Sequence, residues 1–421
     1  MKAAPIIGAI NRHNRNMDLF SAGGERFSER IEHTLVHTGQ HYDEFMSGSF
    51  FHDLNLPPPD IHLGVGPGSP VVQTAEIMSK FEPVLCDQRP DVVVVVGDVT
   101  STLASALVAC KTVFDSAGSK SLVAHVEAGL RSFDRSMPEE INRILTDHVS
   151  DLLLVSEPSG LKNLRSEGIP GEKLHYVGNT MIDSLLAFRQ KAESSTILEE
   201  LGFQMCSAGD GAGPRIRRYA LLTLHRPANV DNRDTLLDVL GGLEELAAEC
   251  PIIFPAHPRT QNRLQQFDLQ PGLSVKQSMI ASLADSQRTA SGIIVTPALG
   301  YLDFLCLMMH AVMVITDSGG IQEETTCLGV PCVTVRENTE RPITVEIGTN
   351  VLAGTSREGI KKAISQQRKK KISGSVPEKW DGQAAARIID LLLRIRCDRG
   401  LPELMRNRTS SRHLIFTGDF R

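Results

Sequence analysis

Short apolar runs alternate along this chain with longer stretches of helical periodicity. Residues 91–98, DVVVVVGD, form the clearest run. Its β-branched residues are continuous rather than alternating, which is what a strand covered on both faces requires. The next residues, STLASALVACKTVF, have helical spacing, so the pair predicts a βα unit. Further strands are predicted at HTLVHTG, SLVAHVE and DLLLVSE in the first half, and at YALLTLH, PIIFPAH, VMVITDS and PCVTVRE in the second. A helix over residues 180–192 and the Gly-rich stretch SAGDGAGPRIRR separate the two series. The pattern predicts an α/β protein with two parallel sheets, one in a domain over 1–185 and one in a domain over 186–376. An amphipathic helix follows within 377–397, residues 398–421 read as a poorly ordered tail, and a polar insertion interrupts the second domain at 276–291.

Length and charge narrow the function. A chain of 421 residues is long enough for two or three domains with their own cores. Its formal net charge of -6, with basic residues spread out rather than gathered in a stripe, argues against a nucleic-acid footprint. Eight cysteines without a CxxC pair suggest reduced core residues, not a disulfide framework or a zinc site. No stretch reaches the roughly 18 apolar residues of a membrane span, so a cytoplasmic protein away from the membrane is expected. HExxH and EF-hand patterns are absent, and no GxGxxG follows a strand. GVGPGS at 64–69 reads as a loop. Neither a metal nor a nicotinamide cofactor is expected.

Ligands of open parallel sheets sit beyond the carboxyl ends of the strands, so polar residues there carry information. Asp98, Glu127, His225, His257 and Asp317-Ser318 all occupy such positions. In TDSGGIQEETTCLGVP (316–331), a strand, a Gly-Gly turn and a helix succeed one another as an anion site requires. The N–H groups of Ser318, Gly319 and Gly320 suit a diphosphate, and Glu324, a turn further on, suits ribose hydroxyls. An ordinary strand-to-helix turn with a solvated Glu324 is the bland alternative. SMPEEINRILTDH also has two readings. Ser136 and Glu139 have the spacing of a capping box, while Glu139, Arg143 and Asp147 share one helical face and can direct several charges into one crevice. His225-Arg226 at a strand end suits a charged leaving group, His257 and Arg259 repeat the arrangement, and Asp231 is the expected N-cap of the next helix.

Taken together, TGQHYD, GD.TST, HVEAGLRS, MPEEINR, GNTMID, LHRPANVDN, AHPRT, TDSGGIQEE and ENTERP resemble the non-hydrolysing UDP-N-acetylglucosamine 2-epimerases, in the same order from about Lys2 to Ile395. The resemblance implies two Rossmann-like domains in a GT-B arrangement, a final helix returning to the first domain, and a homodimer. It implies a UDP-sugar substrate from which UDP is eliminated, giving 2-acetamidoglucal, and then added back with a proton delivered to the other face of C2. By motif position Asp98, Glu127 and Glu139 match the acidic catalytic residues, and His225 matches the histidine near the departing diphosphate. Ser318, Gly319, Gly320 and Glu324 match the UDP-binding turn, with Arg336 and Arg143 in support. Gln40 and His41 match a loop that holds an activating second UDP-sugar in some bacterial members, although Tyr42-Asp43 differs from that group. Family members open with a strand and a GTRPE.IK.AP loop. Here the chain opens at MKAAPIIGAI, which implies a missing first strand and unpaired neighbours. Epimerisation of a diacetamido or uronic UDP-sugar, hydrolysis releasing N-acetylmannosamine, glycosyl transfer and an inactive UDP-sugar binder stay open as alternatives.

Overall fold

A computed structural model describes residues 1–20, 29–39, 56–205, 215–269, 273–275, 292–369, 374–398 and 411–418. The chain divides into two compact units, residues 1–184 with 378–421, and residues 185–377.

Unit 1 is built on a seven-stranded parallel sheet. Its strands are β1 (Arg30–His37), β2 (Ile61–His62), β3 (Val92–Val96), β4 (Leu122–Ala128), β5 (Leu152–Val155), β6 (Leu174–Tyr176) and, from the far end of the chain, β16 (Ser411–Gly418). They lie in the order β2-β1-β16-β3-β4-β5-β6. The period of two in a strand sends alternate residues to opposite faces. Val92, Val94, Leu414, Phe416, Ala124 and Val126 therefore join one apolar layer, with Ile6, Ile7 and Ile10 of helix α1 (Ala4–Phe20) and Ile388 and Leu392 of the helix Ala384–Asp398. Val93, Val95, Ile415 and Val123 join the other, under helices α2 (Pro70–Gln88) and α3 (Thr100–Lys111). Burial on both faces is why these strands read as unbroken apolar runs. Helix Ala384–Asp398 is fixed at its start by Asp183, whose carboxylate accepts from the N–H groups of Ala384 (3.1 Å) and Ala385 (2.7 Å).

Residues 398–421 are not simply a tail. Within them β16 pairs along its whole length with β1, from Arg30↔Ser411 to His37↔Gly418, and with β3 from Leu414↔Val92 to Thr417↔Val95. The chain does open on a helix rather than a strand, yet β1 and β3 are not left unpaired, because β16 fills the place between them. With α1 on the same layer, β16, α1 and β1 make a βαβ unit whose first strand comes last in the sequence.

Unit 2 has a second seven-stranded parallel sheet and a two-residue ribbon of β7 (Gln204–Met205) with β8 (Arg215–Ile216). The sheet contains β9 (Ala220–Thr223), β10 (Ile252–Ala256), β11 (Leu273–Val275), β12 (Ile293–Pro297), β13 (Val314–Thr316), β14 (Cys332–Thr334) and β15 (Asn350–Leu352), in the order β11-β12-β10-β9-β13-β14-β15. Each predicted strand is present. The short edge strands were not expected, and the polar insertion at 276–291 lies outside the described residues. Cys250, Cys306 and Cys332 are buried, as core cysteines should be, whereas Cys86 is exposed.

Candidate active site

In unit 1 the acidic residues gather at the carboxyl edge of the sheet. Val96 of β3 registers with Val126 of β4, so Asp98 and Glu127 leave neighbouring strands at the same edge. Strand β4 does not simply stop there. Its register shifts between Val126 and Ala128, and the bulged residue between them is Glu127, held at a φ of 74°. A left-handed conformation is costly for a residue with a Cβ, and a bulge re-aims a side chain. Glu127 is 7% exposed, and its carboxylate ion-pairs with the Lys2 ammonium. Gly97, at φ 74°, passes beneath this pair, and a Cβ on it would lie 3.4 Å from Lys2 Nζ and 3.6 Å from Glu127 Oε2.

Asp98 is fixed by α4 (Pro138–Val149), which provides its partners in the first two turns. Arg143 donates from Nε (2.9 Å) and Nη2 (2.6 Å) to Asp98 Oδ2, and Asn142 Nδ2 donates to the Asp98 carbonyl (2.9 Å). Arg143 is therefore a partner of a candidate acid in unit 1, through a charge-assisted fork. The capping-box reading of Ser136 and Glu139 does not hold. Met137 is the N-cap and makes no side-chain cap, and Ser136 Oγ donates to Asp134 Oδ1 (2.6 Å). The neighbouring Glu140 is the residue that folds back, accepting from Ser132 N–H (2.9 Å), Ser132 Oγ (3.0 Å), Phe133 N–H (2.9 Å) and Arg143 Nη1 (2.7 Å). Glu139 is half-exposed and free of that lattice. Asp147 is turned away from the crevice into a buried network.

In unit 2, Asp317 organises the edge. Its carboxylate accepts from the N–H of Arg226 (2.9 Å) and from Asn229 Nδ2 (3.0 Å), and its Oδ1 lies 2.9 Å from His225 Nδ1. Burial works to push the Asp317 carboxyl up, but His225, the Arg226 N–H and Asn229 together outweigh it and hold the group below the ordinary carboxylate range. His225 itself is half-exposed and oriented by that contact. Strand β13 then gives way to the helix Gly319–Leu328, with Ser318 as N-cap. The Ser318 N–H is already used by Thr316 Oγ1 (2.9 Å), so the amides of this turn that no helical carbonyl takes up are those of Gly319 and Gly320. A Cβ at 319 would lie 2.6 Å from both Arg341 Nη1 and Glu340 Oε1, so a larger residue there would have to displace that ion pair.

Beneath the turn is a buried ion network. Arg336 Nη2 meets Glu340 Oε2 (2.7 Å), Arg341 Nη1 meets Glu340 Oε1 (2.6 Å) and Arg341 Nε meets Glu323 Oε1 (3.0 Å). Arg336 is thus placed beside the turn, and Arg341, Glu340 and Glu323 are additions that the sequence pattern did not single out. Glu324 is not solvated. It is 3% exposed and accepts from the hydroxyl of Tyr301 (2.9 Å) on the helix Tyr301–His310. Burial pushes its carboxyl up to about 7 despite that hydrogen bond. Asn232 rather than Asp231 caps the helix Arg233–Gly242, while Asp231 pairs with Arg259 (2.5 Å) and Arg263 (3.1 Å). His257 caps its own helix, accepting from the Arg259 N–H (3.3 Å). Gln40 and His41 lie outside the described residues.

One parallel α/β unit is edged with carboxylates, and the other carries a Gly-Gly turn above a buried acid. The model of the UDP-N-acetylglucosamine 2-epimerase family matches residues 25–393, and the chain belongs to that family. A UDP-N-acetylglucosamine 2-epimerase of Methanocaldococcus jannaschii is 40% identical over 394 residues, 93% of this chain and 95% of the relative. The crystal structure of the M. jannaschii enzyme in complex with UDP-GlcNAc and UDP superposes with a TM-score of 0.75 at 39% identity, over 93% of this chain and 96% of that one. A UDP-2,3-diacetamido-2,3-dideoxy-D-glucuronate 2-epimerase of Pseudomonas aeruginosa is 35% identical over 398 residues, 94% of this chain and all of the relative.

Proposed function

We propose that this chain is a non-hydrolysing epimerase that interconverts UDP-N-acetylglucosamine and UDP-N-acetylmannosamine. The observation that carries the reading is the pair of carboxylates, Asp98 and Glu127, delivered by adjacent strands to one edge, each already bonded to a cation. The C2 proton of the substrate lies next to an acetal carbon and is a poor acid, so direct removal and return would be slow. Elimination avoids this. A carboxylate takes the C2 proton as the C1–O bond breaks, leaving 2-acetamidoglucal and UDP. UDP oxygen then re-forms the bond to C1 while an acid returns a proton to the opposite face of C2. No electron is gained or lost overall, so the steps need no redox cofactor.

Glu127, Asp98 and Glu139 are the proton-transfer groups in this reading. His225, with the amides of Gly319 and Gly320 beside Ser318 and with Arg336 in support, receives the diphosphate charge as the bond breaks. Glu324 accepts from the ribose hydroxyls, and Arg143 holds Asp98. Lys2 is an addition. Its ammonium stands against Glu127 and is placed to meet negative charge at the reacting sugar. The family resemblance points further to a cytoplasmic homodimer, with Gln40 and His41 in a sugar or effector loop.

Incubation with UDP-GlcNAc in deuterated water, followed by NMR of the sugar, tests the reading. The expected result is deuterium at C2 together with UDP-ManNAc. Free N-acetylmannosamine would mean that water, not UDP, ends the reaction. The Pseudomonas relative, matched over its full length, supports a second substrate reading, a diacetamido uronic UDP-sugar. Exchange on that sugar with none on UDP-GlcNAc would replace the first.

Glu324 gives this function a pH signature. Its carboxyl titrates near 7 in the folded protein against an ordinary 4.5. As pH falls through 7 it gains a proton and no longer accepts from both ribose hydroxyls, so UDP affinity should fall on the acid side. Folding stability runs the other way. The folded state takes up this proton between 4.5 and about 7, so this group's contribution declines as pH rises across that window. Glu324→Gln should therefore weaken UDP binding about tenfold or more at pH 8 and flatten both pH dependences. Calorimetric titration with UDP and thermal melts across pH check the two signs.

A further inference from the structure

The three segments that carry the unit 1 acids meet at one buried pair with no role in the chemistry above. His125, with no exposed surface, sits on β4 two residues before Glu127. Its Nε2 is 2.8 Å from the carbonyl oxygen of Gly97, the residue before Asp98, and its Nδ1 is 2.7 Å from Asp147 Oδ1. Asp147 lies in the last turn of α4, the helix that carries Glu139 and Arg143. Its second oxygen accepts from the Gly129 N–H (3.1 Å), just past the bulge, and from Arg131 Nη2 (2.7 Å). Arg131 in turn forks onto Glu167, with Nε and Nη2 each 2.8 Å from a carboxylate oxygen.

The hydrogen-bond roles follow from the chemistry of the partners. A carbonyl oxygen only accepts, so Nε2 of His125 carries a proton. Burial works to raise the Asp147 carboxyl, but His125 and Arg131 outweigh it and hold it below the ordinary range. Arg131 is balanced by Asp147 and Glu167, which is the condition for burying its charge. The backbone at the bulge needs this support. Glu127 has φ 74° and Gly129 φ 83°, and a Cβ on Gly129 would meet the Gly160 carbonyl oxygen at 2.6 Å. Strain of this kind persists only where the surroundings over-determine it.

We propose that the His125–Asp147 pair is the positioning device of the proton-transfer site, fixing the Asp98 turn, the Glu127 bulge and helix α4 relative to one another. Neither side chain touches the reacting atoms. The inference rests on the epimerase reading for its catalytic meaning and on geometry alone for its structural one, and the tests separate the two. His125→Gln and Asp147→Asn, each confirmed folded by a cooperative thermal melt followed by circular dichroism, should lower kcat about 10- to 100-fold, the cost of a small misplacement of acid–base groups. KM should stay close to that of the parent. Because both substitutions cut the same link, the double variant should be no worse than the poorer single one. Full kcat in both single variants, or additive losses, would overturn the proposal.

Backbone amide NMR of nitrogen-15-labelled protein gives the readout that does not need turnover. Asp147→Asn should move the amide signals of Asp98, Glu127 and Glu139 together. Shifts confined to α4 would overturn the proposal. If the parent chain lacks epimerase activity, the NMR result still decides the coupling, and the loss of activity counts against the functional reading alone.

Discussion

Removal of residues 411–421 should abolish cooperative folding of unit 1, leaving a chain whose unit 2 still binds UDP. The strand lost is not at an edge. Leu414, Ile415 and Phe416 have no exposed surface, and they feed both apolar layers of the sheet, Leu414 and Phe416 on one face and Ile415 on the other. Their burial alone contributes about 2 kcal/mol each, and β1 and β3 would both lose a ladder whose buried N–H and C=O groups have no water to turn to. The sum rivals the whole stability of a domain, about 5–15 kcal/mol. Ser105 Oγ on α3 and Thr417 Oγ1 on β16 also share a buried hydrogen bond of 2.9 Å that would lose one side. Thermal melts followed by circular dichroism check the expectation, with UDP titration reporting on unit 2. The same eleven residues placed ahead of Met1, joined by a short linker, should restore the melt, because the strand would then enter the same slot from the other end of the chain. A truncated chain that melts like the parent would show that β16 is dispensable. Phe416→Ala should give a graded version, a loss of about 3–5 kcal/mol.

That strand also shows where reading by pattern stops. Buried parallel strands announce themselves locally, since both faces need apolar residues, and DVVVVVGD or YALLTLH is legible for that reason. What β16 does is fixed by its partners, Arg30–His37 and Val92–Val96, and more than 300 residues separate it from either. Nothing within SRHLIFTG says that it lies at the centre of the sheet. The same division runs through the site. Asp98, Glu127, His225 and Glu324 are recognisable because they follow strands or a Gly-Gly turn, positions with meaning in any such sheet. Lys2 is invisible in this way, because its pairing with Glu127 spans the distance from the first helix to β4. Tyr301 looks like any aromatic at a helix start until the buried carboxylate of Glu324 is set against it. Spacing rules misled where two similar residues adjoin. Ser136 and Glu139 match the capping box, but Glu140, one place on, closes the turn. Glu139, Arg143 and Asp147 do share a spacing, yet the last goes under β4 to meet His125 instead of into the crevice.

Glu127→Gln should reduce turnover roughly 100-fold or more, the range removed with a general acid or base, while UDP affinity stays within about twofold of the parent, as when only a transition-state interaction is lost. The substitution is nearly isosteric, and the bulge is held by neighbours, with Gly129 N–H on Asp147 and Gly129 carbonyl on Asn163 Nδ2 (2.9 Å). An amide can still accept from Lys2 but cannot take the C2 proton, so deuterium entry should fall with turnover. Asp98→Asn should also suppress turnover, and less cleanly. Arg143, 3% exposed, would keep Glu140 but lose its forked carboxylate partner, leaving buried positive charge less well balanced. A lower melting temperature should accompany that loss in Asp98→Asn and be absent from Glu127→Gln. The contrast separates chemistry from support. Steady-state kinetics, C2 exchange and melts on the two variants measure it, and normal exchange in both would remove these carboxylates from the proton-transfer path.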